Sequence, residues 1–487
     1  MSSLRIAGPD YEALKRHLFR PDRDEYGAVI LAGCSYEGSV PTFLAREVHL
    51  LDEKEFTPGE FGYRQIAPHV LARLGNRAAE GELALLTCHS HPGAMDRNQL
   101  SGPDLDAHKR VFPHLLDIVN GGAVGGIAFG ERSVAGEIWT RGKRPNDLDH
   151  VAIVGSRADQ LFPSPRHDAD TDLRFDRQAR MFGAEGQAKL RTTTVAVIGA
   201  GGGGSMVIEQ LAHLGVGEIL AVDFDAVKTH NLSRVMGATQ ADVDQGRKKV
   251  DVAKDLVQRI DPAIQFSAID GDLAEADVAN RVAEADFIFL CTDTITSRLV
   301  ANAIAHAYFV PMIQIGAKVD LVRDGEIESI YVAVRPVLPG SGCLACAGLI
   351  DPAALQNEAA TDEERQAQNY LNLPDVIDPS VVTLNGVAAS MATNLMLMHL
   401  VGLADDEYLD HRLFDAKTGN WLSLKVNRNP DCRWCGSQER SNMGLGSAAR
   451  LPVRIGQPIS SPPSSLPWPV RIVRRIARRI GWPKGHV

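Results

Sequence analysis

Ile198-Gly-Ala-Gly-Gly-Gly-Gly-Ser205 follows the apolar run Val195–Ile198 and leads into another at Met206–Leu214. Gly199, Gly201 and Gly204 fit a G-x-G-x-x-G turn, with Gly202 between them; such a turn leads a strand into a helix whose first N–H groups face a phosphate. Asp223 closes the next apolar run and suits a ribose, as a dinucleotide site also requires. The remainder of the chain points away from hydride transfer. Arg234 and Lys249 follow the ribose aspartate, Asp293 ends a later apolar run, and two C-x-x-C pairs come after it. These are groups for a nucleoside triphosphate and a metal ion.

Around the glycine loop, strand-like and helix-like runs alternate: Val195–Ile198, Met206–Leu214, Glu218–Val222, Val250–Ile260, Gln265–Ile269 and Phe287–Leu290. That alternation predicts an α/β fold with a parallel-rich, Rossmann-like sheet wrapped by helices. Upstream, the spacing predicts strands at Tyr26–Ala32, Ala84–Cys88, Ala123–Phe129 and Val134–Trp139, a helix over Leu105–Val119, and a last strand at Val151–Val154. The expected organisation is an α+β domain over residues 1–155, a linker over 156–173, the α/β domain over 174–437 and a flexible tail over 438–487. Within that tail Val470–Ile480 places Ile472, Val473, Ile476, Ala477 and Ile480 on one helical face opposite arginines, a segment for a partner protein or an anionic membrane surface. The apolar stretch Val381–Leu403 is interrupted by polar residues and reads as a buried helix rather than a membrane span.

The composition sets bounds. At 487 residues the chain needs more than one core, and a hydrophobic content of 44% with 23% charged residues is that of a globular protein. A formal charge of −10 argues against general affinity for nucleic acid. The first residues hold no apolar run of the kind that directs secretion, so a cytoplasmic location is expected. Seven cysteines, four of them in C-x-x-C pairs, suit a reducing compartment and a metal site.

His89 and His91 stand two apart at the end of a predicted strand, so both imidazoles leave the same face and can share a metal ion. Ser101 and Asp104 follow, and Asp104 offers a third ligand; Glu25, before an earlier strand, is placed to act as a base. Two surface histidines beside a turn are the bland alternative. His108 is expected to be solvated and Cys88 to be a small core residue. Together these residues resemble the JAB/JAMM (MPN) metalloprotease family, which cleaves peptide and isopeptide bonds after the C-terminal glycine of ubiquitin-like proteins. The resemblance implies Zn²⁺ on His89, His91 and Asp104, Glu25 as general base and Ser101 steadying the oxyanion. The nine residues between His91 and Ser101 make a longer spacer than is usual in that family.

From about Arg174 to Gly436 the motifs Arg174-Phe-Asp-Arg177-Gln178, the glycine loop, Asp223-Phe-Asp225, Asn231-Leu-Ser-Arg234, Gly246-Arg-Lys-Lys249, Cys291-Thr-Asp293 and the paired C-x-x-C resemble the ThiF/MoeB family. Such enzymes join the C-terminal carboxylate of a ubiquitin-fold protein to AMP. The resemblance implies ATP and Mg²⁺, with Asp223 on the ribose, Asn231 positioning the phosphates, Arg234 and Lys249 neutralising them and Asp293 holding the metal ion. It further implies that Arg177 reaches the partner subunit's site in a homodimer. Cys343, Cys346, Cys432 and Cys435 provide four thiolates for a structural Zn²⁺, two redox dithiols being the alternative.

Ala347–Val382 contains no cysteine. A thioester on this chain is therefore not expected; Cys291 reads as core and Ser380 as the N-cap of the long apolar helix. The expected function is bifunctional: adenylation of a ubiquitin-like protein with a C-terminal glycine, plus zinc-dependent cleavage after that glycine, in a bacterial conjugation pathway with a separate conjugating enzyme. Sulfur-carrier activation with a sulfurtransferase, and a non-catalytic docking scaffold, are the alternatives.

Overall fold

Strand β2 (Gly27–Ser35) carries apolar residues at nearly every position, which only a strand covered on both faces tolerates. Its alternate side chains serve two cores. Ala28, Ile30 and Ala32 join Leu4, Leu14, Leu86 and Ile127 on one face, whereas Val29 and Leu31 join Leu74, Leu85 and Phe112 on the other. The surrounding elements are β1 (Ser2–Ala7), α1 (Gly8–Leu18), β3 (Thr42–Leu50), the short pair β4 (Phe56–Pro58) and β5 (Arg64–Ile66), and α2 (Pro68–Glu80). After them come β6 (Ala84–Ser90), α3 (Gly102–Ile118), β7 (Ala123–Phe129), β8 (Val134–Thr140), β9 (Asn146–Val154) and β10 (Ala158–Leu161). The sheet order is β1-β3-β2-β6-β7-β8-β9-β10, and β1 also pairs in parallel with β9, giving a barrel-like sheet. This computed structural model describes residues 2–454 other than 23, 37–39, 59–63, 120–121, 143, 166–171, 322–325, 360–378 and 437–440. The segment Val470–Ile480 lies outside the described residues.

The second sheet is built as the alternation predicts. Its elements are α4 (Asp176–Arg191), β11 (Thr194–Ile198), α5 (Gly202–Leu214), β12 (Glu218–Val222), α6 (Gln240–Asp244), α7 (Lys249–Ile260), β13 (Gln265–Ile269), α8 (Ala276–Ala283), β14 (Phe287–Leu290) and α9 (Ile295–Ala307). They continue through β15 (Met312–Leu321), β16 (Ile327–Val337), α10 (Pro352–Ala359), α11 (Val382–Leu400), β17 (His411–Asp415) and β18 (Asn420–Leu424). The order is β13-β12-β11-β14-β15-β16-β17-β18, parallel through β15 and antiparallel beyond it. Chain order reverses between β11 and β14, so a crevice opens at their C-terminal ends, where such sheets hold ligands. Helix α11 packs on α5, β15 and β16, and among the described residues no helix is long and apolar enough to cross a membrane.

Two expectations need correcting. The stretch read as a linker supplies β10, whose residues pair with Val151–Val154. The stretch read as the start of a free tail belongs, up to Val453, to the same compact unit as the sheets. Arg46, buried at the end of the first sheet, donates to the carbonyls of Ser441 (3.1 Å) and Met443, while Ser447 N–H donates to the Cys34 carbonyl at 2.9 Å. Leu44, Phe309 and Met443 form a small core there. Composition reads Ser, Gly and Pro as unstructured; here Gly444 and Gly446, both at positive φ, turn the backbone closely past β2 and α9.

Candidate functional site

The β2–β6 register sets Gly27 opposite His89. Tyr26 clamps the turn beyond: Ser90 N–H donates to its carbonyl at 3.0 Å and its own N–H to Ser90 Oγ at 3.0 Å. His89 Nε2 and His91 Nε2 are then 3.0 Å apart, and lie 3.4 and 3.6 Å from the two carboxylate oxygens of Asp104. Four ligands at the usual zinc–nitrogen distance lie about 3.3 Å from one another in a tetrahedron, so this donor set fits Zn²⁺. Burial opposes ionisation of Asp104, but the hydrogen bonds with His89, His91 and Ser101 hold its carboxyl well below the usual carboxylate range. The bond to Asp104 in turn raises the pKa of His91. Glu25 is exposed and adds its negative field at His91.

Asn98, in the long spacer, escaped the sequence reading. Its Oδ1 is 2.9 Å from His91 Nδ1 and its amide donates to the Ala128 carbonyl at 2.9 Å, which fixes the ring and leaves Nε2 as the ligand atom. The signal was the spacer itself: an asparagine in an extended loop between ligands. Ser101 is the N-cap of α3, donating to Asp104 Oδ2 at 2.7 Å and accepting from Asp104 N–H at 3.2 Å. His108 is not solvated. It lies one turn beyond Asp104 on the inner face of α3, 6% exposed, with Nδ1 2.8 Å from Glu137 Oε1, and burial lowers its pKa against that bond. Cys88 is core, its thiol pushed up by burial.

At the second sheet the glycine loop rounds the end of β11. Gly199 has φ +91°, and a Cβ on Gly204 would lie 1.7 Å from the Gly199 carbonyl oxygen, so both positions require glycine. Asp223 Oδ2 accepts from Ala200 N–H at 2.8 Å, locking the end of β12 to the loop. Lys249, 8% exposed at the start of α7, is 2.6 Å from Asp225 Oδ2 and 3.7 Å from Asp223 Oδ1. Asn231 is buried, its Oδ1 accepting from Lys228 N–H at 2.9 Å. Arg234 reaches back to the His230 carbonyl at 3.0 Å, and its Cδ lies 3.1 Å from where a Gly202 Cβ would be. Asp293 is exposed just past β14, and its carboxylate bonds to no described residue. Arg177 is exposed on the first turn of α4 and likewise bonds to none of these groups. Ser380 is not a helix cap: α11 has Val381 at its N-cap position without a side-chain bond, and Ser380 Oγ accepts from Asn385 Nδ2 at 3.2 Å. Cys291 packs against the core, its thiol pushed up by burial.

Cys343, Cys346, Cys432 and Cys435 converge although two pairs come from distant stretches. Cys343–Cys346 and Cys343–Cys432 are 3.7 Å apart at sulfur and Cys346–Cys435 3.4 Å, and all four sulfurs fall within 4.8 Å of one another. Tetrahedral Zn–S geometry sets sulfurs about 3.8 Å apart. The set fits a closed four-thiolate ion rather than two separate dithiols.

The family model described as "ThiF family" matches residues 175–434, the whole glycine-loop sheet with its four cysteines. The chain belongs to the ThiF family. Its ThiF region is 30% identical over 266 residues to the molybdopterin-synthase adenylyltransferase of Escherichia coli (strain K12), covering 54% of this chain and 96% of that one. It is 28% identical over 257 residues to the SAMP-activating enzyme E1 of Haloferax volcanii, covering 52% and 84%. Among solved structures, E. coli MccB with ATP aligns over 55% of this chain and 75% of that one, at 22% identity and a TM-score of 0.43. These matches concern the ThiF region; the barrel-like sheet has its own site.

Proposed function

We propose that the ThiF region adenylates the C-terminal glycine of a ubiquitin-like or sulfur-carrier protein. The observation that carries this reading is the crevice at the β11/β14 reversal, where the glycine loop, Asp223, Arg234, Lys249 and Asp293 gather in a chain of the ThiF family. An oxygen of the incoming carboxylate bonds to the α-phosphorus of ATP, the bond to the β-phosphate oxygen breaks, and pyrophosphate leaves with that electron pair. Two anions must approach each other, so the site has to cancel charge and align the attack. Asp223 holds the ribose hydroxyls, Asn231 keeps the turn bearing Arg234 in place, and Arg234 swings from the His230 carbonyl onto the phosphates. Lys249, resting on Asp225 in the free protein, transfers its charge to the nucleotide. Asp293 would hold Mg²⁺, which supplies positive charge to the departing pyrophosphate. Arg177, unpaired among the described residues, is available to a second copy of the chain. ATP–pyrophosphate exchange dependent on a ubiquitin-like protein tests the reading; absence of exchange with every glycine-ended candidate encoded beside this chain would reject it.

Transfer follows from the cysteines. Four converge as a metal set, Cys34 and Cys88 lie in the first sheet and Cys291 has a thiol disfavoured as a thiolate. The adenylate therefore passes directly to an external nucleophile, such as a conjugating-enzyme thiol or a sulfide donor. A thiol-labile adduct on non-reducing gels that disappears in Cys291→Ala would overturn this.

A second activity is supported by the convergence of His89, His91 and Asp104. We read the barrel-like sheet as a metallopeptidase of the JAB/JAMM kind that cleaves after the same C-terminal glycine. Zn²⁺ on these three residues would lower the pKa of water and polarise the scissile carbonyl. Glu25 takes up the water proton, Asn98 keeps His91 oriented, and Ser101, whose N–H and hydroxyl both donate to Asp104 Oδ2 in the free protein, turns its hydroxyl from that carboxylate to the oxyanion while the N–H bond keeps Asp104 in place. Cleavage of a ubiquitin-like protein extended beyond its glycine, lost in Glu25→Gln, tests this second reading separately from exchange.

A further inference from the structure

Asn385 lies far from the glycine loop in sequence, yet it lines the loop's ligand side. It belongs to the second turn of α11, is 8% exposed, and its Nδ2 stands 2.4 Å from the point a Cβ on Gly202 would occupy. The same point is 3.1 Å from Arg234 Cδ. Gly202 is the first residue of α5, after the N-cap Gly201, so its N–H is among those with no intrahelical partner that turn toward an anion. The missing side chain at 202 thus admits two groups to one spot, the arginine and a carboxamide. Nδ2 donates one of its two N–H groups to Ser380 Oγ at 3.2 Å; the second N–H has no partner among the described residues. A buried amide with one N–H unused stands beside an anion-binding turn, where a donor is what an anion requires.

We propose that Asn385 donates a hydrogen bond to the α-phosphate of the bound nucleotide, sharing that group with Arg234. The inference rests on the adenylation reading. A neutral donor suits this place. It can orient the phosphate without adding a second cation that would also attract and misalign the incoming carboxylate. Sequence reading missed this because Asn385 is one of several polar interruptions of α11, and nothing local sets it apart from Asn394.

The test is calorimetric titration of the full chain with ATP, AMP and adenosine in the presence of Mg²⁺ at pH 8, where a partly buried carboxyl is ionised. Asn385→Asp keeps size, the packing at Gly202 and an acceptor for Ser380, but points a negative charge at the phosphate. It should weaken ATP and AMP by at least tenfold and leave adenosine within twofold. Asn385→Leu, which keeps the bulk and removes the donor, should weaken AMP by about tenfold. Circular dichroism and the thermal transition establish that each variant is folded. Should one variant fail to fold, the other decides. AMP affinity within twofold of the parent in a folded variant, or an equal loss for adenosine, overturns the inference. No binding of ATP or AMP by the parent chain would instead remove the adenylation reading beneath it.

Discussion

The two sheets prepare their chemistry in opposite ways. In the barrel-like sheet the groups that would hold a metal already hold one another: His89, His91 and Asp104 lie within 3.6 Å, and Asn98 and Ser101 fix them from behind. In the ThiF region the cations are parked, Arg234 on the carbonyl of its own turn and Lys249 on Asp225, while Asp293 is bonded to no described residue. A resident ion needs a rigid cage whose ligand atoms are set before it arrives. A substrate that enters and leaves needs charges that can be handed over, because permanently exposed bare cations and a narrow closed cage would each oppose turnover.

The most damaging test of this contrast is a double dissociation. Glu25→Gln should lower cleavage of an extended ubiquitin-like substrate by about 10⁴-fold and leave pyrophosphate exchange within twofold, and Arg234→Ala should do the reverse, with about a 10³-fold loss of exchange. If either variant reduces both activities alike, the two sites are not independent.

Next in size is the four-thiolate centre. Cys435→Ser should release about one zinc per chain by metal analysis and cost about 4 kcal/mol in urea unfolding, because the three remaining thiolates keep an incomplete shell. The segment 441–453, which follows this centre and packs on β2, should become sensitive to protease in the same variant. Unchanged metal content and an unchanged unfolding midpoint would leave the cysteines without a metal role.

The glycine loop sharpens the contrast from the side of packing. A Cβ at Gly204 meets the Gly199 carbonyl at 1.7 Å, so Gly204→Ala should cost about 3 kcal/mol and weaken ATP, whereas Gly93→Ala, near the histidines, meets no neighbouring atom and pays only for its φ of +89°. Equal stability of the two variants by thermal unfolding would show that the loop is less tightly packed than described.

The smallest effect is a dependence on pH. Burial pushes His399 down to about 4, with its Nδ1 3.0 Å from the Ser156 carbonyl beside β10. An unfolded histidine titrates near 6.5, so between about 6.5 and 4 the unfolded chain binds a proton that the folded chain refuses, and stability falls as pH falls. From pH 7.5 to pH 5 this group alone should remove about 2 kcal/mol, a loss that His399→Leu should abolish. Asp104, depressed instead, keeps its full contribution above the ordinary carboxylate range and loses it progressively as the pH falls into and through that range. Acid should therefore loosen the junction at Ser156, which amide exchange at pH 5 would resolve.

Much of this was legible without coordinates. Strands β7, β12, β13 and β14 begin and end where the apolar runs do; in β7 and β14 every residue is buried, so no polar position blurs their limits. The glycine turn, the aspartate that follows β12 and each C-x-x-C are short-range patterns whose chemistry fixes their spacing. Strands β1 and β3 were not legible, since Leu-Arg-Ile and Ala-Arg-Glu-Val place charged residues between apolar ones, and only partners far along the chain explain Arg5 and Arg46. Arg5 donates to the Tyr308 carbonyl at 3.2 Å and pairs with Asp286. Nor were β15 to β18 read, as a long antiparallel extension leaves half its surface exposed and its pattern mixed.

What the sequence determined by itself was local: which loop has the glycines to turn a strand into a helix N-terminus, which residues can ligate a metal, and where strand gives way to helix. Tertiary structure decided everything that depends on residues far apart in the chain. It buried His108 on Glu137, gave His91 its orienting Asn98, turned a Gly- and Ser-rich stretch into the contact between β2 and α9, and set Asn385 beside Gly202. The physical reason is that propensity and spacing act over a few residues, whereas the partner of a buried polar group is whatever the packing of distant elements brings within hydrogen-bonding reach.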